Sequence, residues 1–184
     1  GGLVSHRRLS TGEDKPYELN ISWWSAMEDS GIDSNRYQYE RFLLSQLLVI
    51  ALKGVPAFYL PALLASKNDI KSFSLTGQRR DLNREKFEYA NLSSILDNPE
   101  SNANKNLEYL KNAMNVRSNL KQFHPGSQME CLSYGRSDIV VIKRGNGLES
   151  VYTIHNITDY KINYQLYDQN FPEINTNDLG MRDL

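Results

Sequence analysis

Cysteine is almost absent. Cys131 is the single one in 184 residues, so the chain can form no intrachain disulfide framework. No basic residue adjoins Cys131 in the sequence, and it reads as a buried or idle thiol rather than a nucleophile. An excess of either charge is also missing. The 21 Lys and Arg residues against 22 Asp and Glu leave a net charge of -1, which gives no globally basic surface for nucleic acid and no acidic tail. Long hydrophobic runs are lacking as well. The longest, Phe42 to Leu52, is interrupted by Ser45 and Gln46 and is too short to cross a bilayer. No basic segment leading into an apolar stretch and a cleavage site opens the chain. An initiator Met is missing too, and Gly1-Gly2-Leu3-Val4 reads like a start inside something longer. What remains, 40% hydrophobic and 23% charged, is the composition of a globular protein. The expectation is a cytoplasmic protein with no membrane and no nucleic-acid partner. Composition leaves the oligomeric state open.

The chemical motifs that would announce a function are equally scarce. His6, His124 and His155 are far apart, without metal-ligand spacing. There is no phosphate-cradling glycine loop and no Gly-x-Ser-x-Gly elbow. No metal and no cofactor is expected, and no pair of carboxylates is marked as an acid and its base.

Periodicity and punctuation indicate an α/β chain. Residues 1 to 20 carry turn formers and read as loop. Ile21, Trp23, Trp24, Ala26 and Met27 allow a turn or two of helix. Asp33 or Ser34 can cap a helix that runs to about Lys53 and is stopped by Gly54. The apolar run Val55 to Leu60, short and bounded by Gly54 and Pro61, reads as a buried parallel strand. A long excursion follows, with one helical turn at Ala62 to Ala65 and a short helix at Asn91 to Leu96. Asn98-Pro99-Glu100 has the form of a helix start, and Leu107, Leu110, Met114 and Val116 give that helix an apolar face to about Leu120. From about residue 127 the period becomes that of an antiparallel β unit. Asp138 to Lys143, a hairpin at Gly145-Asn146-Gly147, Ser150 to His155, and the alternation of Tyr160, Ile162, Tyr164 and Leu166 mark it. The tail from Asn170 is polar.

Two groups of residues invite a functional reading. The run Arg79-Arg80-Asp81-Leu82-Asn83-Arg84 can be a solvated charge run or a set of forks for hydroxyls, carboxylates or phosphates. Composition favours the first reading, and its place after a predicted strand shifts the balance towards the second, because active-site loops sit there in barrels. Tyr17, Trp23 and Trp24 can stack on a sugar or, for at least one Trp, pack in a core.

Several stretches are similar, in order and spacing, to the sucrose phosphorylase branch of the α-amylase superfamily, glycoside hydrolase family 13. They are Pro16-Tyr17-Glu18-Leu19-Asn20-Ile21, Arg41-Phe42-Leu43 through Gln46, Leu52-Lys53-Gly54-Val55-Pro56-Ala57-Phe58-Tyr59, and Asn68-Asp69. They continue through Thr76-Gly77, Arg80, Leu82-Asn83-Arg84-Glu85-Lys86, Phe123-His124-Pro125 and His155-Asn156-Ile157-Thr158. The resemblance covers roughly residues 1 to 165.

This resemblance implies the C-terminal part of a (β/α)8 barrel, from its seventh to its eighth helix, followed by a small antiparallel β domain. Residues 1–126 would be barrel and 127–184 the β domain. Tyr37 to Lys53 would be the seventh helix, Val55 to Leu60 the eighth strand, and the helix from Pro99 the eighth helix. It also implies a retaining transfer of an α-glucosyl unit from sucrose or a related glucoside to inorganic phosphate. In that family an Asp nucleophile, a Glu acid/base and a further Asp carry the chemistry. All three lie upstream of the matching segment, so the chain alone is expected to be inactive. The rivals are an α-glucoside hydrolase or transglucosylase, or a non-catalytic sugar-binding module. Two site elements carry over. Arg80 matches the residue that binds the glucosyl unit, and Lys15-Pro16-Tyr17-Glu18 matches a mobile acceptor loop. Tyr17 and Glu18 would therefore touch the acceptor or phosphate, and Asn20 would fix the loop base. Glu18 stands where the family often has Gln. An acid there would repel phosphate or a phosphorylated acceptor, or hydrogen-bond sugar hydroxyls.

Overall fold

The computed structural model describes residues 1–28, 36–132, 135–164, 166–168 and 171–174. Asp33 and Ser34, expected as helix caps, lie outside the described residues, as does the tail from 175. The chain divides into two compact units. The first holds Gly1–Ser45 and Ala57–Ala113, and the second Gln46–Pro56 and Met114–Leu184.

The first unit opens with strands β1 (Leu3–Arg8) and β2 (Asp14–Asn20), an antiparallel hairpin. This corrects the reading of residues 1 to 20 as loop. Ser10, Thr11 and Gly12 form the tip, where Leu9 N donates to Glu13 O and Gly12 N to Leu9 O, while Asp14 and Pro16 lie within β2. Charged and Pro residues are tolerated in both strands because a two-stranded ribbon is all edge. Helix α1 (Trp23–Ala26) follows, capped by Ser22, whose hydroxyl accepts from Ser25 N. Helix α2 (Gln38–Ala51) begins and ends slightly inside its expected bounds. Its Phe42 is fully buried with Trp24 and Ala65, and Met27 and Tyr39 pack alongside. Trp24 meets Phe42 edge-on at 5.2 Å between ring centroids, so this Trp is core, not a sugar platform.

Val55 to Leu60 is not a strand. The three sheets of the described residues do not include it, and Val55 is 79% exposed. A strand exists only as a hydrogen-bonded pair, and no described strand runs beside this one. A short helix α3 (Leu60–Leu63) comes next, with Pro61 in its first turn. Helix α4 (Ile70–Thr76) is capped at its start by Asp69. At its end Gly77 takes a left-handed φ of 68° and donates to Phe73 O, a conformation that only glycine adopts without strain. A 3-10 turn spans Arg79–Asn83, and helix α5 spans Tyr89–Asp97.

Helix α6 (Asn102–Asn119) starts later than the Asn98-Pro99-Glu100 signal indicates. Asn98 Oδ1 instead accepts from Glu100 N within a turn, and Ser101 is the side-chain cap, accepting from Asn104 N at 3.0 Å. Two potential N-caps three residues apart compete, and the second lies nearer the apolar face that α6 buries. From that face Asn106 Nδ2 reaches Leu63 O at 2.9 Å.

The second unit carries the sheet β3 (Met129–Cys131), β4 (Ile139–Arg144) and β5 (Val151–Asn156), in that order and antiparallel. One face holds Ile139 and Val141 with Leu132, against which Tyr152, Ile154, Ile162 and Tyr164 pack. Ile162 and Tyr164 keep the alternation seen in the sequence, yet residues 161–164 form no strand. The pair β6 (Leu166–Asp168) and β7 (Phe171–Ile174) follows. Cys131 is exposed, not buried.

The end of α2 that enters this unit is closed by two buried arginines. Arg117 donates to Leu52 O, Gly54 O, Phe123 O and, at close range, Ile50 O. Arg144, with 0% exposure, donates to Ala51 O, Leu52 O and His124 O. Both guanidinium groups lie over the Phe123 ring, at 5.3 and 5.2 Å. Helix C-termini leave carbonyls unpaired and carry partial negative charge, so cations suit this position.

Candidate functional site

All three residues expected to contact ligand, Tyr17, Glu18 and Arg80, lie in the first unit, and the fold brings them together. Tyr17 and Glu18 stand on β2, not on an irregular loop. The β1–β2 register passes from Ser5 opposite Glu18 to His6 opposite Pro16, so Tyr17 is an extra residue on its strand. Such a bulge breaks the ladder locally and re-aims a side chain, which is common beside active sites. Tyr17 is 60% exposed.

Arg80 comes from the 3-10 turn, which Leu82 anchors by burial. Asp69 N donates to Leu82 O at 2.7 Å, tying the turn to the start of α4. Arg80 Nε donates to Glu18 Oε2 at 3.0 Å. That bond, with the Glu18 charge and a smaller pull from Tyr17, raises the guanidinium above its ordinary pKa. The pair is solvated, with side-chain exposures of 52% and 29%, so its contribution to stability is small. Its importance is geometric, because it joins positions 62 residues apart. Asp81, next in sequence, is held elsewhere by Thr76 Oγ1 at 2.7 Å and leaves Arg80 to Glu18.

The base of the hairpin is fixed by amides. Asn20 is fully buried and donates to Ser5 Oγ at 2.8 Å, the role the sequence assigns to it. Asn68 accepts from Ser22 N at 2.7 Å and donates to Gly1 O at 3.0 Å. In the sequence Asn68 stands out only as part of the Asn68-Asp69 stretch. Its partners are 46 and 67 residues away, and no local signal names them. Trp23 is half-exposed and Trp24 is in the core. A cleft of about 550 Å³ elsewhere in this unit is lined by Lys67, Asn68, Glu85 and Phe87 among others, and Tyr17, Glu18 and Arg80 are not on its walls. Among the described residues no group of His, Cys, Asp or Glu is arranged to hold a metal ion. No described helix is long and apolar enough to cross a membrane.

The fold is shared with a segment of a larger protein of solved structure. It superposes on the crystal structure of sucrose 6F-phosphate phosphorylase from Thermoanaerobacter thermosaccharolyticum with a TM-score of 0.64. The match covers 84% of this chain and 29% of that one, at 16% identity. In sequence, the chain is 32% identical over 160 residues to the glucosylglycerate phosphorylase of Allomeiothermus silvanus, covering 86% of this chain and 28% of the relative. It is 26% identical over 114 residues to the sucrose phosphorylase of Streptococcus mutans, covering 60% and 22%. No family model matches the chain. The resemblance to the sucrose phosphorylase-like branch is therefore borne out, and the chain spans a little over a quarter of the length of the curated relatives it matches best among these.

Proposed function

We propose that this chain is the C-terminal part of a cytoplasmic glycoside phosphorylase that moves an α-glucosyl unit between a glucoside and inorganic phosphate. In this reading residues 1–126 complete a (β/α)8 barrel, 127–184 form a β domain, and the catalytic carboxylates come from the chain that precedes. Arg80 binds the glucosyl unit, while Tyr17 and Glu18 face the acceptor or phosphate. The Glu18–Arg80 ion pair at 3.0 Å carries the proposal, because it unites the two elements that the family resemblance marks out. The pairing also answers the difficulty raised by an acid at position 18. A carboxylate bound to a guanidinium presents less negative charge to an incoming anion than a free one.

Glucosylglycerate is the first donor to test and sucrose the second, since the relative at 32% identity bears the former name. The experiment incubates the full-length protein with each glucoside, with and without phosphate, and identifies the sugar released. Phosphate-dependent formation of α-glucose 1-phosphate supports the reading. Equal release of free glucose with and without phosphate would assign the protein to the hydrolases instead.

A further inference from the structure

A two-stranded hairpin is marginally stable on its own, so the ribbon β1–β2 needs external support to hold Tyr17 and Glu18 in place. Its base has the Asn20 and Asn68 contacts described above. Its middle is gripped by two consecutive residues of the 3-10 turn. Arg79 Nη1 donates to the main-chain carbonyl of Val4 at 2.7 Å, and Arg80 Nε donates to Glu18. Val4 faces Leu19 and Ser5 faces Glu18, so the two arginines hold neighbouring rungs, one on each strand. Beyond the Tyr17 bulge, the described hydrogen bonds of the hairpin stay within it.

The two grips differ in kind. The Arg80 contact depends on the identity and charge of the side chain at 18. The Arg79 contact is to backbone and depends on neither. Arg80 uses only Nε on Glu18, and its two terminal nitrogens donate to nothing among the described residues. A guanidinium fixed through Nε presents those terminal nitrogens as a fork.

We infer that Arg79 is a positioning residue: by holding Val4 it sets the hairpin so that Glu18 meets Arg80 Nε and the Arg80 fork stays turned to ligand. The inference deepens the function proposed above and rests on it for its kinetic consequence, though not for its structural one.

The test uses the full-length protein and four variants, Arg79→Met, Arg79→Lys, Glu18→Ala and the Arg79→Met/Glu18→Ala double. Met keeps the apolar stem and removes the donors, and Arg79 is exposed, so the fold should survive. Hydrogen–deuterium exchange by mass spectrometry reads the hairpin directly. Faster exchange of the 3–20 amides in Arg79→Met, restored by Arg79→Lys, is the expected result. Unchanged exchange in Arg79→Met overturns the inference, whether or not the protein is a phosphorylase.

Steady-state phosphorolysis supplies the second readout. Arg79→Met should raise the KM for the glucosyl donor about tenfold with kcat within about threefold of wild type. In the Glu18→Ala background it should add little, since both changes break the same chain of contacts. Additive effects of the two substitutions would show that Arg79 does not act through Glu18. Absence of phosphorolysis in the wild type would refute the proposed function and leave the exchange result to decide the positioning role.

Discussion

His155 makes the second unit sensitive to acid. It lies on β5 opposite Val140, is 8% exposed, and its Nε2 has no hydrogen-bond partner. Burial lowers its pKa from 6.5 to about 4. The register puts Arg144 on the same face of the sheet, so a protonated His155 would share that face with another buried cation. Between pH 6.5 and about 4 the unfolded chain binds a proton here that the folded chain does not. Stability from this residue is therefore fully present above pH 6.5 and is lost as pH falls towards 4. At about 1.4 kcal/mol per pKa unit, the loss across that window is of the order of 3 kcal/mol.

His155→Phe keeps a ring of similar size and cannot titrate. It should equal the wild type near neutral pH, or slightly exceed it because an unsatisfied buried nitrogen is gone. By pH 4.5 it should be the more stable protein by about 2.5 kcal/mol. The assay is amide exchange of β4 and β5 measured from pH 7 to 4.5 in both proteins, corrected for intrinsic exchange. Parallel stability profiles, or a directly titrated His155 pKa near 6.5, would refute the argument.

Four further outcomes are expected. Arg144→Met removes the side-chain donor to Ala51 O and leaves Leu52 O to Arg117, and should destabilise the second unit by about 3 kcal/mol, whereas Arg117→Lys, which cannot fork across several carbonyls, should cost about half as much. Both are read as local exchange of the β3–β5 amides. Asp69→Ala removes the cap of α4, where Asp69 accepts from Ser72 N and Ser72 Oγ at 2.8 and 2.5 Å, and should cost about 1 kcal/mol. The Ser72 contacts hold the Asp69 pKa below its usual value, so this contribution is present above the ordinary carboxylate range and fades as pH falls through it. Glu18→Gln retains an acceptor for Arg80 and should leave the melting temperature unchanged by calorimetry while altering the relative kcat/KM for anionic and neutral acceptors.

What the sequence reveals and what it hides follow physical lines. Helices α2 and α5 and strands β4 and β5 are legible because their periodicity is local and their ends carry punctuation. The hairpin β1–β2 is hidden because the contacts that hold it in place come from residues 68, 79 and 80, and its own strands are polar, β2 containing Pro16. Val55 to Leu60 has the composition of a buried strand but needs neighbours that the described residues do not include. The start of α6 is misread because Asn98 and Ser101 both qualify as caps, and only tertiary burial chooses between them. In the site, the residues themselves were visible through family resemblance. The bulge at Tyr17, the Glu18–Arg80 pair and the Arg79 grip were not, because each depends on a long-range register.

The central claim is that Arg80, set by Glu18, holds the glucosyl unit of a phosphorylase. The most direct measurement is the phosphorolysis kcat/KM of the full-length protein carrying Arg80→Lys, alongside its melting curve. Lysine keeps the charge and loses the fork. The account predicts a loss of about 100-fold or more with an unchanged melt, since the residue is exposed. Activity within about threefold of wild type would contradict it.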